Sequence, residues 1–129
     1  MYGQPGPGDY AAFFQHCLPL YSAKRDLTAL REAAGRTAMN PAASNRFFGP
    51  GGEGFRFDFR ERLGAVECPV LVIVGARDPV TPAKWGIEVA DALPAGKAEP
   101  LVFEASSHLI MVDQPERFDA AVRRFIGAR

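Results

Sequence analysis

The period of apolar positions along the chain changes near residue 65. Before that point it is helical. In DYAAFFQHCLPLYSAK, Tyr10, Phe13, Phe14, Cys17, Leu18 and Tyr21 recur every three or four residues, so they share one helical face. Pro19 removes a backbone donor and predicts a kink or an end near the last turn. A second helix fits DLTALREAAG, with Asp26 as N-cap and Gly35 as its stop. Asn40-Pro41 has the cap-then-proline order that starts a third, short helix. GPGGEG at 49–54 predicts a mobile loop. It lacks the lysine and following Ser/Thr of a phosphate-binding loop and follows no strand.

After residue 65 the pattern becomes strand, helix, strand, helix. VLVIV (70–74) is apolar at every position, as a parallel strand covered on both faces requires. Thr81 and Pro82 open a helix in which Trp85, Val89 and Leu93 line one side, with Trp85 as a core anchor. LVFE (101–104) is a second, shorter strand. Asp113 begins the last helix, with Pro115 in its first turn and Glu116 completing a capping box. Val122, Phe125 and Ile126 form its inner face. A strand-helix-strand unit of this length implies parallel pairing with a right-handed crossover.

Composition narrows the function classes. With 129 residues and 47% apolar content, the chain is globular and long enough for one modest core. Fifteen basic residues balance fifteen acidic ones, so nothing electrostatic predicts a nucleic acid or anionic membrane partner. The opening MYGQPGPGDY is no basic-then-apolar leader, and no apolar run has membrane-spanning length; the expectation is a soluble cytoplasmic protein. Cys17 and Cys68 lie in no metal-binding spacing, and the two histidines do not cluster with them. Two reduced, partly buried thiols are expected, with no metal and no cofactor.

The candidate chemistry follows from strand ends. In an open parallel sheet, working residues collect just beyond the C-terminal ends of strands. Asp78 sits four residues after Val74, and His108 four after Glu104. If the strands are neighbours, both side chains leave one edge of the sheet. An acid so placed fixes the tautomer of the imidazole and stabilises its protonated form; the other ring nitrogen can then serve as a general base. Taken singly, Asp78 in Asp-Pro is a turn residue and His108 in ASSHL a loop residue. The matched positions after successive strands favour the pair. No second acid adjoins Asp78, which disfavours a phosphoryl-transfer metal site.

CPVLVIVGARDPVTP followed by SSHLIMVDQPERF resembles the last two strands of an α/β-hydrolase-fold enzyme. In that family the catalytic triad runs Ser, Asp or Glu, then His along the chain. The resemblance covers residues 62–127. It makes Asp78 the triad acid and His108 the triad base, and it implies a partial α/β-hydrolase fold. Residues 1–61 would be a helical cap remnant and 62–129 the C-terminal portion of the core. PLYSAK and EGFRFDFRERL are similar to the caps of proline iminopeptidase-type hydrolases (the S33 type), aminopeptidases that remove N-terminal residues from short peptides. Cap carboxylates there hold the peptide amino group. Glu53 and Asp58 are the nearest counterparts, although solvated loop acids are the simpler reading of both.

The nucleophile is missing from the pattern. Ser22, Ser44, Ser106 and Ser107 are the four serines, and none lies in the G-x-S-x-G turn that presents the family's nucleophile. Ser106 and Ser107 instead shape the loop before His108. The HGGPG oxyanion loop of iminopeptidases is absent as well. Loss of a triad serine costs on the order of a millionfold in turnover, so the isolated chain is expected to be a poor hydrolase or none. Two readings follow. The chain is the C-terminal part of a serine hydrolase, truncated or split, acting on peptide N-termini or small amides and esters once an N-terminal half completes it. Alternatively it is a non-catalytic remnant serving as a binding module. In either case an open edge at 70–74 invites pairing with another chain, self-association included.

Overall fold

A computed structural model describes residues 12, 16–36 and 40–127. The chain forms two compact units, one built from Asp26–Phe59 with the residues through Leu18, the other from Pro19–Arg25 with Arg60 onward.

In the first unit, residues 16–18 belong to a helical stretch that runs on to residue 21, two residues past Pro19. Tyr10, Phe13 and Phe14, assigned to the same helical face by their spacing, lie outside the described residues. Helix α1 covers Thr28–Gly35. Its boundary residue is Leu27, one later than the expected Asp26, and no side chain caps it. The Asp26 carboxylate instead accepts the Thr28 amide at 3.0 Å, a local Asx bond that short acidic side chains favour. Helix α2, Pro41–Phe48, starts as its sequence requires: Asn40 is extended and its side-chain oxygen accepts the Ala43 amide at 3.1 Å. Beyond it, Gly51 takes φ 72°, a left-handed conformation that only glycine adopts without strain. A 3-10 turn at Glu53–Phe55 follows. Phe47, Phe57 and Phe59 stack edge to face in series.

The second unit carries the sheet. Strands β1 (Val70–Gly75) and β2 (Ala98–Phe103) pair in parallel, with Val72 opposite Pro100 and Gly75 opposite Phe103. β2 starts three residues earlier than its apolar run because Pro100 fits an edge strand. With one strand neighbour among the described residues, a missing donor on the far side breaks no ladder bond.

Helix α3 (Ala83–Ala92) connects the strands. Its inward side is Gly86, Ala90 and the following Leu93, of which Ala90 and Leu93 are buried. A Cβ on Gly86 would overlap Val74 Cγ1, so the missing side chain lets the helix lie close on β1. Trp85 is not the expected anchor. It is 51% exposed, with the Lys84 ammonium 4.6 Å above its ring. One residue is about 100° of helical rotation, so seating Gly86 on the strand turns Trp85 toward the flank.

Helices α4 (Ile110–Asp113) and α5 (Pro115–Gly127) close the unit. Phe103, at 0% exposure, Ile110 and Ala121 form the core, with Ile73, Leu101 and Phe118 packed against it. Burying a ring the size of Phe103 contributes about 1.5–3 kcal/mol. The inner face of α5 is Phe118, Ala121, Val122 and Phe125; Ile126, expected on that face, is 65% exposed. It lies about 80° around the helix from Phe118. Cys17 is half-buried, and Cys68, expected to be partly covered, is exposed. Among the described residues, no helix is long and apolar enough to cross a membrane.

Gly86→Ala tests the close approach of helix and strand. Alanine gains about 1 kcal/mol of helix propensity, while overpacking against a stiff valine costs about 1–3 kcal/mol. Urea denaturation is expected to show net destabilisation, relieved when Val74→Ala is added.

Candidate active site

Two loops leave the C-terminal ends of β1 and β2 and are bonded to each other before either reaches its functional side chain. The Ala76 amide bonds the Phe103 carbonyl and the Arg77 amide the Ser106 carbonyl, both at 3.0 Å. Gly75 permits this. A Cβ there would overlap the Ser107 carbonyl oxygen and approach that of Ser106 to 2.7 Å. Backbone oxygens cannot swing aside as a side chain can. Ser106 and Ser107 are buried in this contact, as expected of residues that shape the His108 loop. Ser106 Oγ accepts from the Gln114 amide at 2.8 Å. Ser107 Oγ donates to the Leu20 carbonyl at 2.6 Å.

This arrangement sets His108 Nδ1 2.9 Å from Asp78 Oδ2. The Asp78 side chain is 6% exposed and that of His108 32%. Each oxygen of the carboxylate has two partners. Oδ1 accepts the amides of Val80 at 2.8 Å and Thr81 at 3.0 Å. Oδ2 accepts the Thr81 hydroxyl at 2.7 Å and faces the imidazole. Burial pushes the Asp78 carboxyl up, but the hydrogen bonds from Thr81, His108 and Val80 outweigh it. The net result lies below the ordinary value of 3.8. An ionised acid at this distance keeps the proton of a neutral imidazole on Nδ1, leaving the lone pair on Nε2. The ring can then take a proton from a substrate or nucleophile while the carboxylate stabilises the cation.

Thr81 joins the site although its place before Pro82 suggests only a helix start. It was expected to open helix α3, yet the residue bounding that helix is Pro82 and no side chain caps it. The Thr81 hydroxyl is spent on Asp78, and it also lies 3.2 Å from His108 Nδ1. The signal was present in D-P-V-T: a hydroxyl three residues after an aspartate in a turn can bond back to it. Asp113 likewise departs from its expected role as the cap of the last helix. It ends α4 instead of capping α5, and its carboxylate accepts the amides of Ala23 and Ser107 and the hydroxyl of Ser22.

Beside the pair is a cavity of about 270 Å³ lined by Val72–Gly75, Asp78, Thr81 and His108, among others. Four consecutive strand residues line it, although neighbouring side chains on a strand point to opposite faces. The cavity therefore runs along the edge of β1, on the side where no described strand pairs with it. Among the described residues, no three His, Cys, Asp or Glu side chains are grouped to hold a metal.

The motif and the parallel strand pair agree with a sequence comparison. An α/β-hydrolase family model, described as TAP-like protein, matches residues 57–128. The chain belongs to this family. Among curated relatives, 3-oxoadipate enol-lactonase 2 of Acinetobacter baylyi is 42% identical over 65 residues, covering 50% of this chain and 23% of that one. The 3-oxoadipate enol-lactonase 1 of the same organism is 38% identical over 61 residues, covering 47% and 22%. The matched region thus spans about a quarter of the length of these relatives. Among solved structures, a serine hydrolase involved in carbazole degradation (CarC) superposes with a TM-score of 0.72 at 20% identity, over 90% of this chain and 46% of that one. That likeness shows the fold: a partial α/β-hydrolase fold, with a strand-helix-strand-helix unit whose strands are parallel.

Because the folded Asp78 carboxyl titrates below its ordinary value, its ionisation contributes stability that is complete above about pH 4 and lost as the pH falls through the lower folded value. Asp78→Asn is expected to remove this component. Urea midpoints measured from pH 6 to pH 2.5 would then fall less steeply for the variant than for the parent chain; parallel curves would contradict the assignment.

Proposed function

We propose that this α/β-hydrolase chain supplies the acid, Asp78, and the base, His108, of a Ser–His–Asp hydrolase. The nucleophile and oxyanion hole come from sequence outside these 129 residues. Residues 1–61 act as part of a helical cap and 62–129 as the C-terminal portion of the core. The reading rests on the 2.9 Å contact between Nδ1 and a buried, four-times-bonded carboxylate at the ends of paired parallel strands. A carboxylate holding only a turn together has no need of an imidazole.

The serines in this unit support an external nucleophile. Ser22, Ser106 and Ser107 each have a hydroxyl engaged with Asp113, Gln114 or the Leu20 carbonyl, and none follows a strand in a G-x-S-x-G turn. A family base of this kind serves acyl transfer: it takes the proton of the attacking hydroxyl and returns it to the leaving group.

Small esters or lactones are the favoured substrates. Two of the curated relatives are enol-lactonases by name. The proline iminopeptidase-type alternative needs a cap carboxylate free to hold an amino group; of the two candidates, Glu53 is already paired with Arg46 at 3.0 Å and Asp58 is engaged as well.

The test is reconstitution. Alone, the chain is expected to hydrolyse p-nitrophenyl acetate or a γ-lactone no faster than free imidazole does, and a fluorophosphonate should not label it. Combined with an α/β-hydrolase segment carrying G-x-S-x-G, it should turn over ester and be labelled on the added segment's serine. In that complex, His108→Ala is expected to lower kcat on the order of a millionfold and Asp78→Asn about ten-thousandfold. Labelling of the chain by itself, or a loss below tenfold for Asp78→Asn, would refute the assignment.

A further inference from the structure

His108 is held from a direction that the acid–imidazole pair does not account for. Residues 20–23 form a strap along the backbone on both sides of the histidine. Before it, Ser107 Oγ donates to the Leu20 carbonyl at 2.6 Å. After it, the Leu109 amide donates to the Tyr21 carbonyl at 2.7 Å. The strap also places the Tyr21 ring against the imidazole, with centroids 5.0 Å apart and planes at 84°. His108 therefore has the Asp78–Thr81 grip on Nδ1 and an aromatic neighbour supplied by the strap.

Asp113 joins these parts. Its carboxylate accepts the Ser107 amide at 2.7 Å, next to the histidine. It also takes the Ala23 amide, 3.0 Å from each oxygen, and the buried Ser22 hydroxyl. One anion thus bridges the histidine loop and the strap through donors alone, and charge-assisted bonds of this kind are about twice as strong as neutral ones. Its own amide bonds the Leu109 carbonyl at 3.0 Å, so the backbone bearing the carboxylate is fixed to the same loop.

We propose that Asp113 is a positioning residue for His108. By fastening the 20–23 strap across the histidine loop, it sets Tyr21 against the imidazole and holds the ring where Nδ1 meets Asp78. The proposal rests on the reading of His108 as the base, and it adds a second anchor acting through the ring's neighbours. In the assembled hydrolase it predicts that loss of Asp113 lowers kcat with little change in KM.

The 129-residue chain itself can be tested by NMR. In the parent, the His108 Nδ1-bound proton should be visible and in slow exchange, with Tyr21 ring-to-imidazole cross-relaxation peaks. Asp113→Asn presents an amide to donors that need an acceptor. It is expected to cut hydrogen-exchange protection of the Ala23 and Ser107 amides roughly ten- to a hundredfold, weaken the Tyr21–His108 peaks and broaden the Nδ1 proton. Ser22→Ala removes one donor from a folded protein and should change all three signals in the same direction by less. Asp113→Glu, which keeps the charge, should restore part of the Nδ1 signal. Asp78→Asn separates the two ideas: it should remove the Nδ1 signal while the strap amides stay protected. If both Asp113→Asn and Ser22→Ala lower strap protection but leave the Nδ1 proton and the Tyr21 peaks as in the parent, the strap is structural only and the proposal fails. A reconstituted enzyme indifferent to His108→Ala would instead refute the catalytic reading, with these signals unaffected.

Discussion

A carboxylate taken out of water must have its charge met by donors, and the second unit is organised around meeting that demand for Asp78. Four groups converge on its two oxygens: two amides from its own turn, the Thr81 hydroxyl and the His108 ring. The first three come from the β1 loop alone, so the acid is oriented by its own turn independently of the histidine. The imidazole then meets a charge already fixed in place. In the proposed hydrolase, such preorganisation would spare the pair any reorientation when a proton moves.

The convergence depends on backbone more than on side chains. Parallel pairing of β1 with β2 sends both loops off the same edge, and the absent side chain at Gly75 lets them touch. Gly86 does the corresponding work on the helix side by letting α3 lie close on Val74. Asp113 and the strap complete the enclosure from the third side. Small residues at two points and an anion at a third define where the imidazole sits.

The architecture was legible where one local rule decided the outcome. The VLVIV run, the Asn40 cap and the separation of Asp78 from His108 each carried a signal that packing had no reason to override. Reading failed where tertiary contacts chose among local options. Of the expected stripe Trp85, Val89 and Leu93, only Leu93 is buried; Gly86 and Ala90 share the inner face with it because small residues allow the closer approach. Ile126 lost its place on α5 by the same logic, since Phe118, Ala121, Val122 and Phe125 already fill the arc facing the core. Thr81 and Asp113 looked like helix caps because caps are short-range. Both side chains are used instead by partners in the site, Asp113's as far away as Ser22 in sequence, and no periodicity encodes that. That these 129 residues hold no G-x-S-x-G is plain from the sequence.

The central claim is that Asp78 and His108 interact directly in the folded chain. A double-mutant cycle measures that interaction: urea unfolding free energies for the parent, Asp78→Asn, His108→Gln and the double variant at one neutral pH. Directly bonded partners couple by about 0.5–3 kcal/mol, and a coupling within that range, favouring the intact pair, is predicted. Additive effects of the two substitutions would contradict the account.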